Sequence, residues 1–547
     1  MATDKPSERT PLEREITRRD LLKSAGRVGA GIVAAGALAG QAGAAEKLIR
    51  RTTKSVPTGG TVTWALEQDP GFLAPFGGIL TANRWANEMM YESLLEWDPK
   101  LNLKNAIASD YEVVNSKRIV WTIRPGIKFS NGDPVTAADV VYSFNLQANP
   151  PLPGSTAVLG QFPYIAGTKA IGKNKVQMDL SKPDARVYGY LAWQRYSAVV
   201  PNNMYSTLNP TTQGIGTGPY MLNGSYVPND HINYVKNPHY WKPGLPYMDG
   251  VNYQIVTDEQ TRIAALLSGS IDGATISQPN AANLIGNPKV TVLHNLTAAF
   301  RELQFTIKPG QNKPWADIRV RQAVSAAINR ANIITKVYGG FGQDSGHVAA
   351  GYGPWPFTTD QLQSNYEKYD LPTAKSLMKA AGFGSGFSVT MTTFATPTDF
   401  AAVAALMAND LQQIGINVNI VTQDSATFAA ANGVGSFDWN LTSRGMRGDV
   451  DGYVAEYHPS STAYQAWFKG YPGNTQMFRL IGNGRIQLNT AKRLPMYHQL
   501  NQVLMTQMLE VPLVAVSKWQ VVSPRLKNMY VAFTDFNTGL RNAYVKS

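Results

Sequence analysis

The sequence predicts an α/β protein built on mixed sheets, and two stretches carry most of that prediction. In residues 373–421 a helix, a strand, a helix and a strand follow one another, each helix closed by a glycine. That order is β-α-β logic, which sets strands side by side with helices covering the sheet. In Trp121 to Phe144 a strand passes through two turns into a helix with little slack between them.

Taken in chain order, residues 46–58, with Arg50-Arg51 and Pro57, read as an exposed linker before a first strand, Thr61 to Leu66. Ile119, Trp121 and Ile123 alternate with polar neighbours, the period-two pattern of a half-buried strand. Pro125-Gly126 and Asn131-Gly132 supply turn chemistry. Thr136 stands three residues before Asp139, the spacing of a capping box with an acid in place of Glu, and Val140, Val141 and Phe144 follow as an apolar stripe. Val320, Val324 and Ile328 recur every four residues and read as helix packing. Farther on come a helix at Thr373–Ala381 closed by Gly382, a strand at Ser388–Thr393, a helix at Phe400–Gln413 closed by Gly415 and a strand at Ile416–Val421. No internal repeat interrupts the series.

The first 45 residues concern location. Thr17-Arg18-Arg19-Asp20-Leu21-Leu22-Lys23 is similar to the twin-arginine export signal, and a Gly/Ala-rich run from Ala25 to Ala45 supplies a weakly apolar core with a small-residue cleavage site at Ala42-Gly43-Ala44. The alternative is a transmembrane anchor, for which the run is too rich in Gly and Ala. No cysteine occurs, so neither a lipid-anchored cysteine nor a disulfide is expected. The expectation is a monomeric protein, exported folded and then free in the periplasm or outside the cell.

Removing 45 of 547 residues leaves about three structural units at roughly 150 residues per unit. The net charge of +12 becomes +10 without that segment, which holds seven Lys/Arg against five Asp/Glu. The basic residues are scattered, forming no tract beyond Arg18-Arg19 and Arg50-Arg51, so the charge reads as solvated surface and no nucleic-acid partner is expected. No G-x-S-x-G elbow, H-E-x-x-H helix or phosphate-binding loop occurs, and the six histidines never fall at metal-ligand spacing. Gly340-Phe341-Gly342 lacks the third glycine of a dinucleotide fingerprint and reads as a turn. This negative inventory fits a protein whose work is binding and closure, and no catalytic residue, metal or cofactor is expected.

The order of several blocks resembles the bacterial extracellular solute-binding proteins of family 5, the peptide/nickel-binding capture subunits of ABC importers. The blocks are Glu88 to Pro99 (EMMYESLLEWDP), Trp121 to Phe144, Gly216 to Tyr220 (GTGPY) with Asn237-Pro238 and Tyr240-Trp241, Arg262 to Asp272, Asp317 to Arg330 (DIRVRQAVSAAINR), Tyr369 to Phe383 and Leu411 to Asn419. They run in family order from about residue 58 to the end. Asn329 stands where the family usually has Asp, and Ser130-Asn131 replaces a common His-Asp.

The resemblance implies a two-lobed periplasmic-binding-protein fold of the large, cluster C type, with mixed sheets, a hinge and an inserted subdomain. Its plan assigns residues 57–82, 201–300 and 520–547 to lobe I, 83–200 to the inserted subdomain and 301–519 to lobe II, after a signal at 1–45 and a linker at 46–56. A ligand held between lobes would be a dipeptide or oligopeptide, handed to membrane permease subunits. In peptide-binding relatives a Gly-Asp anchors the ligand's amino terminus, and Gly448-Asp449 looks like that position, with Asp451 in reserve, although the Asp-Pro that often follows is missing. Asp449 could equally cap its own turn. Arg444 and Arg447 are candidates for a ligand carboxylate or for solvated surface. Trp439 and Tyr453 could stack on a ligand or belong to the core. Glu67, at the end of the first strand, is a further candidate. An oligosaccharide, nickel or haem stay open as ligands of the same fold, and a secreted hydrolase or chaperone as a different class.

Overall fold

The computed structural model describes residues 56–546, apart from 77–79, 149–164, 225, 309, 311, 395–398, 446–447, 472–473 and 535–537. The expected export signal, most of the linker and Arg447 lie outside the described residues.

Thr61–Leu66 forms a strand with the bounds its alternation predicts, paired in parallel with Gly250–Ile255 on one side and Gly273–Thr275 on the other. Near the far edge of the same sheet, Phe387–Phe394 pairs in parallel with Ile416–Gln423, and helix Asp399–Gln412 crosses between them. The β-α-β reading is therefore what the chain adopts. The helices Leu371–Ala380 and Asp399–Gln412 end just before Gly382 and Gly415, whose φ values of +85° and +83° only glycine takes without strain.

Two long antiparallel strands, Thr291–Phe305 and Glu510–Val522, join the halves into a sheet of eleven strands. Thr291 to Leu296 pairs with Ser517 to Val522, while Phe300 to Gln304 pairs with Glu510 to Ala515 and, on its other side, with Trp439–Arg444. The register breaks between Leu296 and Phe300. Such a break frees backbone groups that need partners. The Ala298 N–H donates to the Phe533 carbonyl at 2.9 Å, and the Ala298 carbonyl accepts from the Tyr453 hydroxyl at 2.8 Å. The two strands cross from one half to the other at this irregular point, the place a hinge would occupy.

Each half has its own apolar core. Val62, Trp64, Tyr234 and Tyr253 pack in the first, and Phe305, Trp315, Val320, Val324, Ile328, Met391 and Trp439 in the second. A third core belongs to an antiparallel sheet of Ala108–Asn115, Arg118–Ile123, Lys175–Leu180 and Ile165–Ala170, in that spatial order, covered by helix Ala137–Ala148. Ile119, Trp121 and Ile123 face it as predicted, with Val140 and Phe144 from the helix. Burial of each such side chain stabilises the fold by about 1.5–3 kcal/mol. The cap of this helix differs in detail from the expected box. The Asp139 carboxylate accepts both the Thr136 N–H (2.7 Å) and the Thr136 hydroxyl (2.6 Å), so the hydroxyl proton goes to the acid.

The recognisable motifs are joints between these parts. Gly218 donates its N–H to the Met90 carbonyl at 2.8 Å, and a Cβ there would press on the Met89 and Met90 backbone, so the GTGPY segment can lie on the end of helix Thr81–Met90 only as glycine. Glu92 is buried and accepts from Tyr240 (3.0 Å), Trp241 (2.5 Å) and Arg541 (2.8 Å), which fastens the C-terminal segment to the inserted sheet's entry. Asn329 caps helix Arg330–Lys336 by accepting the Asn332 N–H at 3.0 Å, a task Asn performs as well as Asp.

Arg330 is buried and faces Glu367 at 3.6 Å, yet neither Glu367 oxygen has a hydrogen bond among the described residues. Burial pushes the Glu367 carboxyl up to about 8. A carboxyl whose pKa rises on folding binds its proton more tightly in the folded state, so its stabilising contribution is complete below the unfolded value of 4.5 and is lost as pH climbs through about 8. Melting temperature should therefore fall between pH 5 and 9, and Glu367→Gln should flatten that slope. An unchanged slope in the variant would mean that Glu367 is already ionised in the fold.

Candidate functional site

The loop that follows strand Trp439–Arg444 does reach the junction of the inserted sheet and the second half, but its residues divide into two groups. Trp439, Arg444 and Tyr453 turn inward. Trp439 is wholly buried among Phe305, Trp315 and Phe387, and Tyr453 is equally buried with its hydroxyl committed to Ala298. For both, the core alternative is the observed one.

Arg444 corrects both of its expected placements, being neither surface nor turned to the cavity. It is fully buried, donating to Glu302 (2.9 and 3.1 Å), Glu510 (2.6 Å) and the Tyr453 carbonyl (2.6 Å), with Glu456 also against it. Carboxylate oxygens of Glu302, Glu456 and Glu510 lie within 4.8 Å of one another, a set that would suit a divalent cation, and the guanidinium supplies that positive charge instead. Burial and the neighbouring Glu302 push Glu510 up to about 7, and burial drives His347, beside Tyr457, down to about 3. Glu67 is exposed just past the first strand and is not part of the cavity wall described next.

Asp449 lines a cavity of about 670 Å³. One wall comes from the inserted unit, with Trp97, Tyr111 and Tyr188; the other comes from the second half, with Tyr352, Trp355, Asp449 and Arg493. This volume falls within the ~300–1,000 Å³ usual for small-ligand sites, and aromatic walls with few charged groups are their usual composition. Arg493 lies in the first turn of helix Thr490–Gln507, whose start, Leu488 to Thr490, also lines the cavity. It holds Asp449 through two bonds, 2.7 and 2.5 Å, the fork geometry that makes Arg–carboxylate pairs strong. Asp449 also accepts the Asp451 N–H at 2.9 Å, so it does cap its own turn.

Asp451 has no exposed surface. Arg485 holds it at 2.9 and 3.0 Å, Tyr497 donates to it at 3.0 Å, and Arg186 of the inserted unit approaches to 3.7 Å while gripping Asp184 at 2.6 Å. Three carboxylates (Asp184, Asp449, Asp451) thus meet three guanidiniums (Arg186, Arg485, Arg493). The network is neutral and ties the inserted unit to the second half. Beside it the two backbones nearly touch: a Cβ on Gly189 would collide with the Gly448 carbonyl oxygen and lie 2.8 Å from its carbon. The Ala185 N–H donates to the Arg485 carbonyl at 2.7 Å across the same seam. His458 near this network is pushed down to about 4, by burial first and then by Arg485, and stays neutral.

Sequence reasoning missed Arg186, Arg485 and Arg493, which lie in no motif, as well as Tyr188, Tyr352 and Trp355. Trp97 falls inside the LLEWDP block, where the pattern marked a turn and gave no sign that the indole faces a cavity.

A mixed sheet split between two cores, two crossing strands and an aromatic cavity at a seam between units are the features of a solute-binding protein. The pattern described as "Bacterial extracellular solute-binding proteins, family 5 Middle" matches residues 102–474, and the chain belongs to this family of ABC-importer binding proteins. It is similar to the glutathione-binding protein GsiB of Escherichia coli K12 (27% identical over 369 residues, 65% of this chain and 68% of that protein). It is also similar to heme-binding protein A of Haemophilus influenzae (26% over 532 residues, 90% and 93%). Among solved structures, the fold matches the periplasmic binding protein DppA of Helicobacter pylori in complex with the peptide STSA, with a TM-score of 0.70 at 20% identity, covering 90% of this chain and 99% of that one. These relatives are binding proteins, and the solutes in their names differ. Among the described residues no helix is long and apolar enough to cross a membrane.

Proposed function

We propose that this chain captures short peptides in the cavity beside Asp449 and delivers them to an ABC permease, acting as a binding protein without catalysis of its own. The observation that carries the reading is the cavity itself, about 670 Å³, enough for a few residues, with aromatic walls for side chains and a few polar groups among them. The inserted unit (83–200) and lobe II (301–519) supply its two walls, and a ligand touching both favours the closed arrangement. The N-terminal segment is proposed to direct export by the twin-arginine route, and the exported form to be a monomer that no lipid anchors. The site assignment moves from Trp439, Arg444 and Tyr453 to Trp97, Tyr188, Tyr352, Trp355, Asp449 and Arg493.

The same aromatic walls favour one alternative, a small oligosaccharide stacking its ring faces on Trp97 or Trp355. A thermal-shift screen of the exported form separates the two. Peptides of two to four residues at 100 times Kd should stabilise it by about 2.7 kcal/mol, and sugars should not. Stabilisation by sugars alone would replace the peptide reading with the saccharide one. Hydrolysis of any stabilising compound during the assay would refute the binding-only role.

A further inference from the structure

The charges around the cavity do not add up to an ammonium site. Among the described residues that line it, three carry charge at neutral pH: Lys100, Asp449 and Arg493. Asp449 is spent, held by both terminal nitrogens of Arg493 and by the Asp451 N–H, inside a network that balances three carboxylates with three guanidiniums. An incoming ammonium would bring a fourth positive charge to a network already balanced, directly beside the Arg493 guanidinium that holds both Asp449 oxygens, a like-charge contact that disfavours it. Lys100 is exposed at the rim, in the turn after Asp98-Pro99, and its side chain has no ion-pair partner among the described residues. Its neighbour Lys104 is the one that pairs with Asp98. The other polar feature of the wall has the same sign. Helix Thr490–Gln507 begins at the cavity with Asn489 as its cap, and its first turn holds no acid of its own; Arg493 there is balanced by Asp449, which leaves Lys492 and the positive end of the dipole.

We infer that this site reads its solute by a carboxylate, with Lys100 as the specificity-determining cation, and that a free amino terminus is not required. The inference rests on the cavity being the ligand site, as proposed above. It sets the class of solute: an acid with an apolar body that fits between Trp97, Tyr188 and Trp355, of which a peptide's carboxyl end is one form. Lys100 acts by charge at the mouth, so its contribution should weaken with salt. Tyr188, on the same wall, stays neutral, because burial pushes its hydroxyl well above its ordinary value.

Calorimetric titration tests this with phenylalanyl-leucine, its N-acetyl form and its C-terminal amide, alongside 3-phenylpropionate and its methyl ester. Amidation should weaken binding by about tenfold or more, acetylation should change it little, and Lys100→Gln should remove the difference between acid and amide. The exposed position of Lys100 means the variant should melt at the wild-type temperature, so loss of fold would not mimic the result. Weakening by acetylation, whether alone or equal to that of amidation, would overturn the inference, as would Lys100→Gln discriminating acid from amide like the wild type. Should no peptide bind while 3-phenylpropionate binds and its ester does not, the peptide reading fails and the carboxylate inference stands. Should neither acid bind, or ester match acid, the inference itself fails.

Discussion

Replacing Arg444 with methionine is expected to destabilise the protein by about 3–5 kcal/mol, measured as a lower denaturation midpoint. The side chain is fully buried and is the counter-charge for Glu302 and Glu510, which sit on the two crossing strands while Arg444 sits on a third. Methionine fills much of the volume but leaves the carboxylates facing one another without a cation. Loss of the cation should raise their pKa values beyond what burial already does to Glu510. The variant should consequently regain stability as the pH is lowered toward 5, because protonation removes the repulsion, and Arg444→Met combined with Glu302→Gln and Glu510→Gln should recover much of the loss at neutral pH. A single variant as stable as wild type at pH 8 would show that the cluster contributes no net electrostatic stabilisation. Ligand affinity is not the quantity this residue controls; its expected role as a solute partner gives way to one of holding three strands together.

The second large effect is expected at Gly189, and there binding is what changes. Its added methyl group would meet backbone on the opposite unit, with Gly448 and the Asp449 Cβ (3.5 Å) in the way, so no side-chain rotation relieves the clash. Gly189→Ala should force the inserted unit away from the second half, stretching the 3.7 Å contact of Arg186 with Asp451 and widening the cavity. Overpacking of this kind costs about 1–3 kcal/mol, which at 1.4 kcal/mol per factor of ten lowers affinity by about one to two powers of ten if the closed form binds. Gly433→Ala, where the added methyl meets nothing within 4 Å, is the control. Titration with whichever probe binds best, together with the radius of gyration from solution scattering, checks both halves of the claim. Equal affinity and equal size in the two variants would mean that the Gly189–Gly448 approach has no part in closure.

How far the sequence could be read follows from the range of the interactions that set each feature. Thr61–Leu66 and the strand around Trp121 were legible because their alternation is a local record of which face is buried, and the glycines at 382 and 415 because a left-handed turn is a local demand. The cap at Thr136 was legible as to place but not as to which group donates, since Asp139 also serves the distant Asn202 N–H at 2.8 Å. The site was harder. Trp439, Arg444 and Tyr453 lie four to ten residues from Asp449, and nothing local tells a tryptophan that will face Phe305 and Trp315 from one that will face a ligand. Arg493, the group that meets Asp449, lies 44 positions away in a helix without any motif.

By itself, then, the sequence determined the kind of protein: the alternation of helices and strands, the turns that punctuate them, and an ordered set of blocks that mark family 5. Those features are encoded by local backbone preference and by periodic burial, which neighbouring residues write together. Only the tertiary structure decided which charges are spent and which remain available. Asp449, the acid singled out to hold an ammonium, is neutralised by Arg493, and among the described residues lining the cavity the cation left over is Lys100. Coulomb interactions between groups far apart in the chain depend on distance and burial in space, and neither quantity is written in the order of the residues.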